Sequence, residues 1–301
     1  MHQSRHLFIL RLLTIILLSA MILLPDLIAS PSSPDTSVFQ SEKDKIDLLI
    51  VGLGVSDHKV RDEGVSPLTY RGPVLQIDFG NIDWKKKRRW QIIGKGGVGI
   101  TSGSGTIQQY GQYNFYFSLH TNYLLNTNLL KNHSWRLYAG PDFNFTGNTR
   151  LNQNLFNASF TYDFVGSLNA GVRLEYDFGW PAGRTRFLNI KRRQRILTAA
   201  FQWNIPVMHI FQRPEYAVID DFTDGNSLYS GQGDLKLTSY GQIIRINMEL
   251  SLLYHLQNGN LLQFQYGFDG IRIDEGYNIL STVHRRLSFG FLFRLNHNRH
   301  E

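Results

Sequence analysis

The segment SLNAGVRLEYDF, Ser167 to Phe178, places Leu168, Ala170, Val172, Leu174, Tyr176 and Phe178 on one face and Asn169, Gly171, Arg173, Glu175 and Asp177 on the other. A period of two with one apolar and one charged side defines an amphipathic β-strand. Similar segments recur along nearly the whole chain. They are too many and too long for a 42% apolar composition to supply the shared core of two packed sheets. The repetition is accounted for by a closed antiparallel up-and-down barrel whose apolar side chains face lipid and whose polar side chains face a lumen.

The N-terminus orders its residues differently. Arg5, His6 and Arg11 precede the apolar run Leu12 to Leu24, and Ala29 and Ser30 stand before a Ser/Pro-rich stretch. Charged, apolar and small regions in that order predict a secretory signal peptide over residues 1–30. The apolar run is short of the roughly 20 residues a membrane-spanning helix needs, and no longer one follows. A helical membrane protein is thereby excluded. A chain of strands can sit in lipid only as a closed barrel, because each unpaired backbone group there costs several kcal/mol. The chain has no cysteine, which suits passage through an oxidising compartment. Loss of Arg5, Arg11 and Asp26 changes the formal charge from +7 to +6, so the basic character belongs to the mature protein.

After a polar leader over 31–45, the barrel is expected over 46–296, with a C-terminal extension over 297–301. Alternation and turn residues predict 12 strands: 46–56, 68–80, 89–101, 110–124, 134–146, 154–165, 167–178, 194–205, 210–219, 237–256, 260–272 and 281–295. The alternatives are 10 or 14. Pro206 and Pro214 make 206–222 the weakest stretch and 10 strands the main competitor. With the first strand starting in the periplasm, the outer connections fall near 57–67, 102–109, 147–153, 179–193, 220–236 and 273–280. These are longer on average than the others, as in barrels with short periplasmic turns. Asn258-Gly259 predicts a tight hairpin with both residues at positive φ. Ile271 and Ile273 change parity after Gly270, for which a bulge is the expected remedy.

Trp84, Trp90, Trp135, Trp180 and Trp203 all fall near expected strand ends, the pattern of an interfacial aromatic girdle. In the last strand Leu287, Phe289, Phe291, Phe293 and Leu295 alternate with Arg286, Ser288, Gly290, Leu292 and Arg294. This segment resembles the final-strand signal of Gram-negative outer-membrane β-barrel proteins. The resemblance implies residence in the cell outer membrane, insertion by the barrel-assembly machinery, and contact with outer-membrane lipids and lipopolysaccharide.

GKGGVGITSGSG, Gly94 to Gly105, contains G-x-G-x-x-G. It is followed by a Ser/Gly run and a strand instead of the helix whose N-terminus would hold a pyrophosphate, so steric relief within a barrel is the better reading. Two basic clusters stand out: Lys85, Lys86, Lys87, Arg88 and Arg89 in a periplasmic turn, and Lys191, Arg192, Arg193 and Arg195 with Arg184 and Arg186 in an outer loop. In the second, Arg184, Arg186, Lys191, Arg192 and Arg193 are candidates for binding anionic phosphates or carboxylates, against a merely solvated loop. The signal peptide argues against nucleic acid as the partner. Asp220 to Asn226 reads as an Asx/Gly turn and not a calcium loop, and no metal ligand set or cofactor is expected.

Ser118 and His120 share a strand face with Asn114 and Asn122. The set is similar to the serine, histidine and amide of outer-membrane phospholipases, but in reversed order and facing the lumen. The expected lumenal charges are Arg136, Asp142, Asp163, Arg173, Glu175, Asp177, Arg245, Glu249, Asp269, Arg286 and Arg294. Both signs occur in comparable number, which fits a salt-bridged, plugged interior or a narrow polar channel. The chain thus reads as a structural protein or small-solute pore without catalytic activity. A binding module acting through its outer loops, and a lipid hydrolase, are the alternatives.

Overall fold

The computed structural model describes residues 46–85, 87–103, 110–130, 134–152, 160–180, 183–184, 191–192, 195–213, 235–238, 242–276 and 278–295. The expected signal peptide, leader and C-terminal extension, and the Asp220–Asn226 turn, lie outside these residues. The strands are β1 (Ile46–Asp62), β2 (Ser66–Trp84), β3 (Arg88–Gly103), β4 (Tyr110–Asn126), β5 (Trp135–Leu151), β6 (Phe160–Trp180), β7 (Gly183–Arg184), β8 (Lys191–Arg192), β9 (Arg195–Gln212), β10 (Lys236–Thr238), β11 (Ile243–His255), β12 (Leu261–Asp274) and β13 (Ile279–Leu295).

Ten of these form a closed ring in the order β9-β11-β12-β13-β1-β2-β3-β4-β5-β6, with β6 pairing back onto β9. The short β10 adds to β9 outside the ring, Lys236 opposite Phe211 and Thr238 opposite His209. β7 and β8 form a separate two-residue hairpin. The ladders among the described residues are antiparallel, and the one joining the first and last strands runs without a break from Asp47↔Leu295 to Asp62↔Leu280. The ring strands are 13 to 21 residues long, more than the roughly 9–11 that cross a bilayer.

Alternation sorts the side chains as the pattern requires. Outward residues make an apolar belt in which Leu53 is 68% exposed, Leu75 65% and Ile77 60%. A belt of that kind is matched by lipid and not by water.

Ten strands replace the expected twelve because two predicted turns are strand interiors. Gly166 sits within β6, opposite Phe145 of β5. It faces outward beside inward Val165, and this apolar residue on the lumenal side imitates a change of strand. Pro206 sits within β9, whose ladder with β11 runs from Leu197↔Tyr254 to Asn204↔Asn247. The proline therefore stands past the point where that ladder demands a donor. No separate strand over 210–219 exists among the described residues, and the expected strand 237–256 is divided into β10 and β11.

Merging these strands moves one connection to the other end of the barrel. The Asp177 amide donates to the Ser134 carbonyl at 3.0 Å, and the Thr198 hydroxyl donates to Asp177 at 2.7 Å. β6 therefore finishes, and β9 starts, at the end holding the start of β1 and the finish of β13. The connection 179–193 departs from that end, contrary to its expected place outside.

Other details also differ. The register of β12 passes Gly270 evenly, Asp269↔His284 then Gly270↔Val283 then Ile271↔Thr282, so there is no bulge there. In the β11–β12 hairpin only Gly259 takes a positive φ, +82°. The Gly259 amide donates to Leu256 O and the Leu256 amide to Asn260 O, so the left-handed position is needed once and glycine fills it.

Candidate functional site

Among the described residues, the interior of the barrel gathers most of the buried polar and charged side chains. Inward positions alternate with the belt, so every second residue of each ring strand is delivered to one narrow space.

Apolar side chains occupy both ends. Toward the end holding the start of β1, Leu48, Ile50, Ile82, Trp84, Ile93, Leu253, Leu261 and Leu292 form one buried cluster. Toward the opposite end, Val60, Tyr70, Val165, Phe211, Ile243, Ile271, Ile273 and Leu280 form another. The parity change at Ile271 and Ile273 is thus the cluster itself: these residues stay on the lumenal face and are apolar because they cap it. Trp84 likewise belongs to the interior and not to a girdle, with the guanidinium of Arg89 4.7 Å and that of Arg136 5.7 Å from its ring centroid. Trp203 lies within β9, away from its ends. Trp90 and Trp135 keep the outward, near-end placement expected of them.

Between the caps, charged groups are tied across the ring. Glu175, fully buried, accepts from Arg89 Nη1 at 2.8 Å and Arg173 Nε at 2.7 Å, and its second oxygen lies 3.3 Å from Arg136 Nη2. Arg136 also donates to Asp177 at 2.8 Å, and Arg173 to Gln202 at 3.2 Å. Arg245 grips Asp269 with Nε and Nη2 at 3.0 and 2.7 Å and reaches across to Ser167 and Thr146 at 3.0 and 2.8 Å. Glu249 lies 3.7 Å from Lys95 and 3.4 Å from Arg286. Asp62 accepts from Arg150 at 3.2 Å and Arg213 at 2.7 Å, while Arg150 lies 2.8 Å from Asp163. These pairs link β3 to β6, β3 to β11, β5 to β11 and β1 to β5, strands that are not neighbours in the wall. The forked geometry of arginine lets one head serve several acceptors.

Of the expected lumenal charges, Asp142, Asp163, Arg173, Glu175, Arg245, Glu249, Asp269 and Arg286 are inward and buried, and Arg136 and Asp177 sit partly exposed at the mouth. Arg294 does not join them: it is exposed beyond the β12–β13 end, its side chain lying over Gly259. The side chains of Arg184, Arg186, Lys191, Arg192 and Arg193 lie outside the described residues. Lys95, Arg89, Arg150 and Arg213 were not expected in the interior. Arg89 and Lys95 share odd positions with inward Gln91 and Ile93, a signal hidden by reading Arg89 as part of a turn. Gly97 and Gly99 are the inward glycines of β3, and a Cβ at Gly99 would meet Pro73 O at 2.3 Å, so close strand approach explains the glycine there.

Ser118 and His120 are both inward and buried. His120 Nε2 pairs with Asp142, which accepts from Asn169 at 2.7 Å. No hydrogen bond joins Ser118 to His120 among the described residues. A hydroxyl that is not aligned on its base, within a packed interior, lacks the geometry of an activated nucleophile. His58 and His284 stack at 3.9 Å with Tyr116 alongside, adding rings to the filling.

No family model matches the chain, and no curated protein matches it. Solved structures similar to it include the outer membrane protease OmpT from Escherichia coli, at 10% identity and a TM-score of 0.48, covering 89% of this chain and 99% of that one. The toluene transporter TodX of Pseudomonas putida matches at 8% identity and a TM-score of 0.31, covering 87% and 92%. Ail, the attachment invasion locus protein of Yersinia pestis, matches at 10% identity and 0.29, covering 83% and 100%. A protease, a transporter and an attachment protein share no activity to carry over. The barrel of this chain is closed and antiparallel, with an apolar outer belt.

Proposed function

We propose that the chain is an integral outer-membrane barrel with a closed interior, a structural protein of the membrane and neither an open pore nor an enzyme. The observation that carries this reading is the set of charge pairs spanning the lumen between non-adjacent strands, Arg89 with Glu175, Lys95 and Arg286 with Glu249, and Arg150 with Asp62. A water-filled channel keeps lumenal charges apart and hydrated; here many of them are paired across the interior, and apolar clusters stand at both mouths. Of the alternatives open at the sequence level, the plugged interior is favoured over the polar channel. The lipid hydrolase is disfavoured by the unaligned Ser118 and His120. Insertion by the barrel-assembly machinery, and lipid and lipopolysaccharide as surroundings, complete the reading.

Purified protein in planar bilayers tests it. Folded barrel, verified by heat-modifiable migration on gels, is expected to insert without stepwise ionic conductance. Sustained conductance steps from wild type would overturn the closed reading, and recovery of the protein as a soluble periplasmic species would overturn the membrane reading.

A further inference from the structure

The two rims of the barrel carry their cations differently. At the rim opposite the start of β1, Arg61 lies 3.0 Å from Glu63, Arg71 2.7 Å from Asp57, Lys236 2.6 Å from Glu275 and Arg272 3.6 Å from Asp274, while Lys59 and Arg285 have no carboxylate within ion-pair distance among the described residues. At the rim holding the start of β1, Lys85, Lys87, Arg195 and Arg294 have no carboxylate within ion-pair distance among the described residues. Arg88 has only Asp83, at 4.0 Å.

The unpaired cations stand in a particular order relative to the belt. On the outer face of β3 and β4, Ile92 lies opposite Thr121, then Trp90 opposite Tyr123, then Arg88 opposite Leu125, and Lys87 and Lys85 follow in the turn. Trp90 and Tyr123 are exposed, as are Leu129 and Leu130 in the connection after β4 at the same rim. Two residues of strand advance about 7 Å. Passing outward from the belt, the sequence is therefore hydrocarbon-matched side chains, amphipathic rings, then ammonium and guanidinium groups one step beyond. Acyl chain, glycerol region and phosphate occur in that order at a lipid leaflet.

We propose that this rim binds anionic phospholipid headgroups, with Lys85, Lys87 and Arg88 as the principal phosphate contacts and Arg195 and Arg294 extending the contact around the rim. The inference rests on the reading of the chain as a membrane barrel. The exposed aromatic and leucine side chains next to the cations favour a lipid surface, and most of the cations of the opposite rim are already held by neighbouring carboxylates.

The test uses full-length barrel folded into phosphatidylcholine vesicles, with spin-labelled phosphatidylglycerol or phosphatidylcholine as the probe. At low salt, labelled phosphatidylglycerol is expected to associate several-fold more strongly than labelled phosphatidylcholine, since each cation near a surface contributes on the order of a fivefold preference before sharing and screening. The preference should fall toward unity at about 0.5 M salt, where the Debye length is only a few Å, and in the triple variant Lys85→Gln, Lys87→Gln, Arg88→Gln. It should persist in Arg61→Gln, Arg272→Gln. A preference that survives in the triple variant, or that is lost only in the opposite-rim variant, overturns the proposal. If the triple variant fails to fold, the single variant Lys87→Gln and the wild-type salt series decide it by the same criterion. Failure of wild type to insert into phosphatidylcholine vesicles would overturn the membrane reading itself, whereas insertion without lipid preference would overturn this inference alone.

Discussion

On β6 the two faces of one strand answer to different demands. Outward, Leu168, Val172 and Leu174 need only be apolar, because the surrounding lipid has no fixed geometry to match. Inward, Asp163, Arg173 and Glu175 each have named partners on other strands: Asn148 Nδ2 at 2.6 Å for Asp163, Gln202 for Arg173, and the guanidiniums of Arg89 and Arg136 for Glu175. The outer face specifies a medium; the inner face specifies an arrangement. Substitutions on one strand should therefore cost by different rules according to face.

The sharpest way to break this contrast is Glu175→Gln. Removing the shared carboxylate leaves Arg89, Arg136 and Arg173 as neighbouring like charges in a packed interior, and a loss of about 3–5 kcal/mol is expected from breaking a buried pair, read by denaturant titration of barrel folded in vesicles. A loss under half of that would mean the interior charges are solvated and that the lumen is not closed. Next comes Leu168→Arg, near the middle of β6. Transfer of a cation to a lipid-facing site near the midplane should cost about 2–4 kcal/mol, measured in the same titration. If it proves neutral, the inside and outside assignment is reversed. The smallest effect is expected for Leu168→Val, which keeps the face apolar and should stay within about 0.5 kcal/mol. A large cost for this exchange would show that the outer face too has a specific partner.

The sequence made the class of fold legible because a period of two over most of the chain has few physical solutions. Strand number was less legible, since the barrel breaks its own polarity rule where it caps its lumen. Val165, Ile271 and Ile273 are apolar on the inward face, and each imitates a turn or a bulge when read locally. Pro206 misled for another reason: proline weakens a strand only where a ladder needs its amide, and that need depends on how far β11 extends beside β9. The interior charges on long central strands, such as Arg173 and Arg245, were readable from parity. Their partners were not, because pairs such as Arg150 with Asp62 join residues distant in sequence and no local spacing encodes them. Arg89 shows the cost of reading composition before position: it stands last in a run of basic residues yet is the first lumenal charge of β3.

The unbroken β1–β13 ladder also has a consequence in time. Neighbouring hairpins such as β1–β2 and β12–β13 can pair soon after their residues meet, but Asp47 and Leu295 face each other only after nearly all the described chain has been arranged between them. Long loops close slowly because their entropy must be spent before any pairing is gained. Until that step both β1 and β13 are open edges, able to pair with another chain as readily as with each other. A catalyst of folding for this protein would do most by holding one of those two edges occupied until the other arrives, then releasing it as the last ladder zips shut.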